Sequence, residues 1–415
     1  MKDILVIGGG AAGYAAACGA KEHFPGARVT VLEASSRTGR KILASGNGRC
    51  NLMNDGDNVY FGDAAFADRV LETCTRQDVR AFFDRAGLRI ADESEEDGRV
   101  YPATGQAASV LDALRFYADR LGVHMLCEQK VTSVGYGKKG FRIDTETDAF
   151  RADQVIIACG SPAGGKLGLD SYHLLENMGH RIFAPAPALT PIVCDMKGLG
   201  ALKGLRAPVR LLLCREGKNG EKCVEMTEGE ILFSETGVSG VCAMQLGRAA
   251  KKGDTLHIDF SPLLALCKRR HSHEMHPHVL PGENTENVYA LLKERAAYLQ
   301  GEALYAGLLP RVLGQVICQK GKSLREQARL LSDFVLPVTG VKGLDTAQVA
   351  HGGADTKEFD AATMESRLHA GLYAAGEVLN VDGECGGFNL LFAWATGLIA
   401  GKAAAESLRA MCEEK

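Results

Sequence analysis

The chain opens on a short, unbroken apolar run, Asp3 to Ile7 (DILVI), the pattern of a parallel strand buried on both faces. Gly8-Gly9-Gly10 reads as a turn, and the Ala-rich stretch from Ala11 to about His23 predicts a helix. A second strand, Arg28 to Leu32, ends at Glu33, so the first elements form a compact βαβ unit. Helical periodicity follows over Asp78 to Ala86 and Ala107 to Leu121. His124 to Leu126, Val131 to Tyr136, Phe141 to Thr145 and Gln154 to Ala158 read as short strands.

From Pro185 the texture changes. PAPALTP introduces β-rich sequence with predicted strands at Pro191 to Cys194, Val209 to Cys214, Glu230 to Phe233 and Thr255 to Phe260. Between Leu263 and Ser332 the pattern is helical, with helices predicted over Val288 to Gln300, Pro310 to Cys318 and Leu324 to Leu331, before Phe334 to Val338 resumes as strand. The end of the chain returns to the idiom of its start: a strand at Gly371 to Ala375, the turn Gly376-Glu377, then glycines opening a helix from about Asn389 to Met411. The predicted fold class is α/β, a nucleotide-binding domain built from both chain ends and interrupted by an inserted domain.

Composition narrows this picture. At 415 residues the chain exceeds the roughly 250 to 300 over which one core usually keeps growing. Forty-eight Lys plus Arg against fifty-one Asp plus Glu leaves −3, no general field for nucleic acid or an anionic membrane. The start lacks the pattern of a signal peptide, and no uninterrupted apolar run reaches the roughly 20 residues of a membrane span. A cytoplasmic protein is expected. Thirteen cysteines, with Cys214 and Cys223 the closest pair, form no CxxC or zinc-knuckle spacing.

Gly8-x-Gly10-x-x-Gly13 follows a strand, opens a helix and precedes the strand-end acid Glu33 by twenty residues. The glycines permit the tight turn, the close approach of backbone to a pyrophosphate, and helix–strand contact, while the helix start offers N–H donors to anionic oxygens. Glu33 is placed to accept the adenosine ribose hydroxyls. Arg37-x-Gly39-Arg40 resembles the arginine and glycine turn of FAD-dependent oxidases and reductases, and Leu372 to Glu377 resembles their second FAD motif, which NAD enzymes do not need. Asp382, Gly386, Gly387 and Asn389 then lead into the last helix, whose opening N–H groups face the charge that develops at flavin N1 and O2 on reduction. Phe388 and Trp394 read as core residues of that helix. The polar segment Lys41 to Asn51 should run along the cofactor, with Cys50 a structural or substrate-lining thiol.

GRKILASGNGRCNLMN and AGEVLNVDGECGGFNLLFAWATGLIAG strongly resemble the bacterial BaiN-like flavoprotein family, and the resemblance covers nearly the whole chain, including GRVYP (Gly98 to Pro102), GEILFSETGVSG (Gly229 to Gly240) and TMESRLHAGLY (Thr363 to Tyr373). It implies a Rossmann-like FAD-binding domain (1–188 and 335–415), an inserted β-barrel-like domain (189–262 and 310–334) and a helical cap (263–309) covering the flavin. Non-covalent FAD is implied, with candidate contacts at Gly8, Gly10, Ala12, Gly13, Glu33, Arg40, Lys41, Gly46, Asn47, Arg49, Cys50, Asn51, Val131, Cys159, Gly160, Gly376, Glu377, Asp382, Gly386, Gly387, Asn389 and Leu390. Three loops depart from the family pattern: Cys159 to Gly165, Ser239-Gly240-Val241 and Val349 to Ala354. Specificity is what they put in doubt.

The family includes bile-acid dienone reductases and aminoacetone oxidases. The resemblance therefore implies a reductase of a conjugated enone, such as a 3-oxo steroid or bile-acid derivative, with NAD(P)H as a transient electron donor because no second dinucleotide motif exists. An amine oxidase using oxygen is the alternative. A third reading is a flavin-binding regulator or tRNA-modifying partner, which the near-neutral charge does not support. A small-molecule substrate is expected, with neither nucleic acid nor membrane as partner; no catalytic residue or oligomeric state is assigned. His271, His273, His276 and His278 read as a solvated loop, so no metal is expected.

Overall fold

The computed structural model describes residues 2–91, 94–95, 97–138, 140–165, 171–218, 220–264 and 281–413. The chain divides into two compact units, Met1–Ala186 with Val349–Lys415, and Pro187–Gln348.

The first unit is built on a five-stranded parallel sheet in the order Leu372–Ala374, Gln154–Ile157, Asp3–Ile7, Arg28–Leu32, His124–Leu126. Its central strand is the apolar run at the start of the chain, and Ile4 to Ile7 are buried because both sheet faces are covered. Pairing of Ile157 with Ala374 is what returns the end of the chain to its beginning. The first helix, Ala11–His23, and the last, Phe388–Glu413, then pack through small residues. A Cβ on Gly397 or Gly401 would collide with the Ala12 or Ala16 carbonyl oxygen, so these glycines allow the two backbones to touch.

That last helix is long and apolar enough to cross a membrane by length and composition, although Lys402 and Glu406 interrupt its apolar run. Here 72% of its most apolar window is buried inside the protein. It is the central core helix of the unit. A three-stranded antiparallel sheet (Val131–Gly137, Gly140–Thr145, Ala149–Ala152) leads into the strand at Gln154.

The second unit is a closed six-stranded barrel in the order Ile192–Cys194, Gly237–Ser239, Gly220–Phe233, Arg206–Gly217, Thr255–Asp259, Phe334–Val341. Along Arg206–Gly217 the pleat alternates: Val209, Leu211 and Leu213 enter the main core, while Arg210, Leu212 and Cys214 lie on the other face. Arg210 is buried there, its guanidinium donating to Glu228 at 2.6 Å and Glu283 at 2.7 Å.

Two boundaries differ from the sequence expectation. Residues 335–348 belong to the barrel unit, because the strand Phe334–Val341 pairs with Ile192–Cys194 on one side and Thr255–Asp259 on the other. The described part of the helical insert does not stand apart: Val288 and Leu292 of the helix Thr285–Ala296, and Leu304 and Tyr305, share one core with barrel residues Leu213, Ile258 and Phe334. The four-histidine cluster lies outside the described residues.

Candidate cofactor site

The first glycine turn is shaped by two requirements of the protein and one space. Gly8 has φ +105°, and a Cβ there would lie 2.5 Å from the Ala158 carbonyl oxygen and 2.8 Å from Cys159 Cα. Gly13 is pressed against the Gly8 carbonyl, which is the helix-to-strand contact. Gly10 caps the first helix without a side-chain bond, and a Cβ at Gly10 would meet nothing within 4 Å. The helix has no acidic residue in its first turn, and its leading N–H groups open on that space beside Ala12.

Glu33 sits at the edge of this turn, accepting from Gly9 N–H at 2.8 Å and Ser35 N–H at 2.8 Å. Gln129 N–H donates to the Glu33 carbonyl at 2.9 Å, which brings the segment leading to buried Val131 alongside. Arg40 reaches Ser35 Oγ at 3.2 Å, so the residues flanking Gly39 (φ +72°) close back on the acidic strand end.

Lys41 joins the two ends of the chain. Its Nζ lies 3.1 Å from the Ser161 carbonyl and 3.4 Å from Glu377 Oε2, and Gly160 (φ +75°) leaves space beside both. The other Glu377 oxygen accepts Ala350 N–H at 3.2 Å. Glu377 is thereby committed to the protein on both oxygens, and Gly376 packs against Ala12.

The second glycine turn precedes the last helix. Asn389 closes it, accepting Gly383 N–H at 2.8 Å and donating to the Gly383 carbonyl at 2.8 Å. Leu391 N–H to the Gly387 carbonyl is the first bond of the helix, so the N–H groups of Phe388, Asn389 and Leu390 precede its ladder. Gly387 (φ +106°) is held tightly: a Cβ would lie 2.5 Å from the Met53 carbonyl oxygen and 2.8 Å from Asn51 Oδ1. That Asn51 oxygen is buried and has no hydrogen-bond partner. Asn54, which the sequence did not single out, donates to the Gly386 carbonyl at 2.8 Å, and Tyr60 donates to the Phe388 carbonyl at 3.0 Å.

Between the turns, Gly46, Asn47, Gly48 and Cys50 all take positive φ. Asn47 (φ 55°) and Cys50 (φ 58°) do so without being glycine, a local strain of the kind found where backbone is held for a purpose. Cys50 is fully buried, and burial pushes its thiol up to about 11 against a bond from Ser45, so it is a neutral structural thiol. Arg49 turns away onto the Tyr101 ring, 3.8 Å from its centroid, and pairs with Glu95 at 3.0 Å; the structure does not bring it to the other candidates.

Asp382 is buried, and its Oδ1 lies 2.7 Å from His351 Nδ1. A carboxylate only accepts, so Nδ1 carries the hydrogen and Nε2 is left as the free end of a side chain that is 43% exposed. The sequence places His351 in a loop suspected of facing substrate but gives it no role; no spacing pattern announces a pairing across 31 residues.

Residues 2–403 match the family described as HI0933-like protein Rossmann domain. The chain belongs to this family. It is 34% identical to the 3-dehydro-bile acid delta(4,6)-reductase of Clostridium scindens over 98% of this chain and 100% of that protein. It is also 28% identical to the ribosomal RNA dihydrouridine synthase of Escherichia coli, over 95% of this chain and 96% of the relative. Among solved structures, the 3-ketosteroid delta1-dehydrogenase of Sterolibacterium denitrificans shares the fold at a TM-score of 0.50 and 12% identity, covering 98% of this chain and 100% of that one. This chain is an FAD-dependent oxidoreductase with the Rossmann-like FAD-binding fold.

Its first unit offers what FAD requires: a helix start facing open space at Gly10, and a buried, unpartnered Asn51 oxygen beside a second helix start. An amide acceptor in that position suits the ring N–H of a flavin.

Proposed function

We propose that this chain reduces a carbon–carbon double bond conjugated to a carbonyl in a small molecule of the 3-oxo steroid or bile-acid type, in the cytoplasm, with NAD(P)H as the transient electron donor. The observation that carries this reading is the full-length 34% identity to a bile-acid reductase. In it, Gly10 and the first helix hold the pyrophosphate, Glu33 the adenosine ribose, and Asn51 with the last helix start the polar edge of the ring. Bound there, FAD supplies hydride chemistry.

The protein's own part is orientation and a proton. Lys41 and Glu377 pin the two chain ends together, so the glycine turns keep their separation. Hydride addition to the β-carbon of an enone leaves charge on the carbonyl side, and a proton must reach the α-carbon. His351 in its imidazolium form is suited to deliver that proton from Nε2, because buried Asp382 holds the Nδ1 hydrogen and the side chain is 43% exposed.

The dihydrouridine synthase relatives favour a second reading, an RNA substrate, since making dihydrouridine also saturates a double bond conjugated to a carbonyl. A formal charge of −3 argues for the small molecule, because RNA phosphates call for compensating Lys and Arg. The test is anaerobic reduction of the purified protein separately with NADH, NADPH and aminoacetone, followed by a 4,6-dien-3-one steroid, ribosomal RNA or oxygen. Reoxidation by the dienone with saturation of one carbon–carbon double bond per reduced flavin is expected. Reoxidation by RNA or oxygen alone overturns the reading. His351→Gln should lower dienone turnover roughly 10²-fold or more while the flavin is still reduced by NAD(P)H at the wild-type rate.

A further inference from the structure

The inserted barrel carries a cluster of ligating side chains that the flavin chemistry does not use. The face of the barrel wall away from the main core brings together three neighbouring strands: Cys214 from Arg206–Gly217, Glu221 and Cys223 from Gly220–Phe233, and His257 from Thr255–Asp259. Cys214 stands opposite Cys223 on one side of its strand and opposite Thr255 on the other. The ligand atoms of Cys214, Glu221 and His257 all lie within 4.8 Å of one another.

His257 is already oriented. Its side chain is 8% exposed, and Nδ1 lies 2.7 Å from Asp333 Oδ1, so the hydrogen on Nδ1 is given to a carboxylate. Nε2, turned into the cluster, is buried and lies 3.2 Å from Glu221 Oε2. The Thr255 hydroxyl holds the other Glu221 oxygen. A carboxylate–histidine pair with the second nitrogen aimed at a thiol and an acid is the arrangement that metal sites use to fix a ligand's tautomer.

We propose that Cys214, Glu221 and His257 bind one Zn²⁺ ion, with Cys223 completing the coordination. Zinc accepts sulfur, nitrogen and oxygen ligands together, whereas magnesium and calcium select all-oxygen sets. Zinc–ligand bonds of about 2.0 to 2.3 Å put two ligands of a tetrahedral ion roughly 3.5 Å apart, and the three ligand atoms already lie within 4.8 Å of one another. Two thiolates, a carboxylate and a neutral imidazole bring three negative charges to a dication. The ion ties the hairpin Arg206–Phe233 to the neighbouring strand and, through Asp333, to the head of Phe334–Val341. It is a structural site, independent of the substrate reading above.

The test uses untagged, full-length, FAD-loaded protein, stripped with chelator under reducing conditions and titrated with Zn²⁺ alone against a chromophoric competitor, with metal content read by elemental analysis after gel filtration. One zinc per chain is expected. Cys214→Ser and His257→Ala should each abolish retention, and Asp333→Asn, which touches no metal, should weaken it by roughly 10–100-fold. A far-ultraviolet circular dichroism spectrum and a calorimetric barrel transition matching wild type show that each variant is folded. For any variant that fails this check, Co²⁺ added to the wild type replaces it: a thiolate-to-cobalt charge-transfer band supports the site and its absence overturns it. The proposal is also overturned if the wild type retains no zinc, or if zinc is retained by a folded Cys214→Ser/His257→Ala double variant, which would point to the histidine-rich segment at His271 to His278. A Cys214–Cys223 disulfide in purified protein that takes up no zinc after reduction overturns it as well.

Discussion

Gly10 and Gly387 each open a long helix, yet the protein surrounds them in opposite ways. A side chain at Gly10 would meet nothing within 4 Å, whereas one at Gly387 would run into the Met53 carbonyl and Asn51 from a backbone at φ +106°. The second glycine is needed by the fold itself. The first is not, so its absence of a side chain makes sense only against something that is not protein. Cofactor and stability should therefore separate at these two positions, although both turns hold the same cofactor in the proposed function.

The largest effect is expected at the first turn. Gly10→Val should lower FAD occupancy at least about tenfold, because a branched side chain fills the pyrophosphate approach, and leave the melting temperature of the apoprotein unchanged. Full flavin release on acid precipitation of this variant would show that the turn holds no pyrophosphate. Gly387→Ala should behave in the reverse sense: stability of the apoprotein falls by roughly 1–3 kcal/mol, measured by denaturant unfolding before any cofactor is added. An apoprotein as stable as wild type would erase the contrast.

Asn51→Leu sharpens the comparison from the ligand side. Its unpartnered oxygen is an unfavourable group in the empty protein, so the substitution should leave apoprotein stability equal or higher. FAD affinity should fall by about 1 kcal/mol, roughly fivefold, in equilibrium dialysis. Equal affinity would detach Asn51 from the ring.

The smallest effect is in pH. Burial pushes the Cys50 thiol to about 11 and that of Cys18, in the first helix, to about 12, from an ordinary value near 9. Between those values the folded chain keeps protons that the unfolded chain has released, so stability is fully present below pH 9 and declines as pH rises toward 11. Urea midpoints measured at pH 8, 9 and 10 should fall in that order, and Cys50→Ala should flatten part of the decline.

Much of the first unit was legible in its sequence for a physical reason: apolar runs and small residues there serve one pattern at a time. Asp3–Ile7, Ala11–His23 and Arg28–Leu32 lie where periodicity placed them, and the glycine turn with Glu33 lies at their junction. The barrel was harder. The strand Gly220–Phe233 is predicted only over its last four residues, because its first half (GEKCVEMT) is largely exposed and polar and carries no clear alternation of burial. The helix Ala64–Thr73 was not expected, since its apolar face is only Phe66, Ala67, Val70 and Leu71. At the site, glycines and acids show in the sequence through fixed spacing. Asn54, Ser161 and the His351–Asp382 pair act through contacts between distant segments, which spacing cannot reveal.

The chain has a single tryptophan, Trp394, and it lies in the first unit. It is fully buried, its indole N–H donates to the Leu52 carbonyl at 3.1 Å, and its ring meets Phe83 edge-on at 5.2 Å. Leu52 is the residue between Asn51 and Met53, so this indole is anchored to the segment that lines the second glycine turn. Intrinsic fluorescence excited at the red edge therefore reports on that turn alone: a bound flavin would quench it by energy transfer, and its recovery would time cofactor release. The barrel, lit only by tyrosine, is dark in the same experiment. Emission and calorimetry will agree on one melting transition only if the two units unfold together.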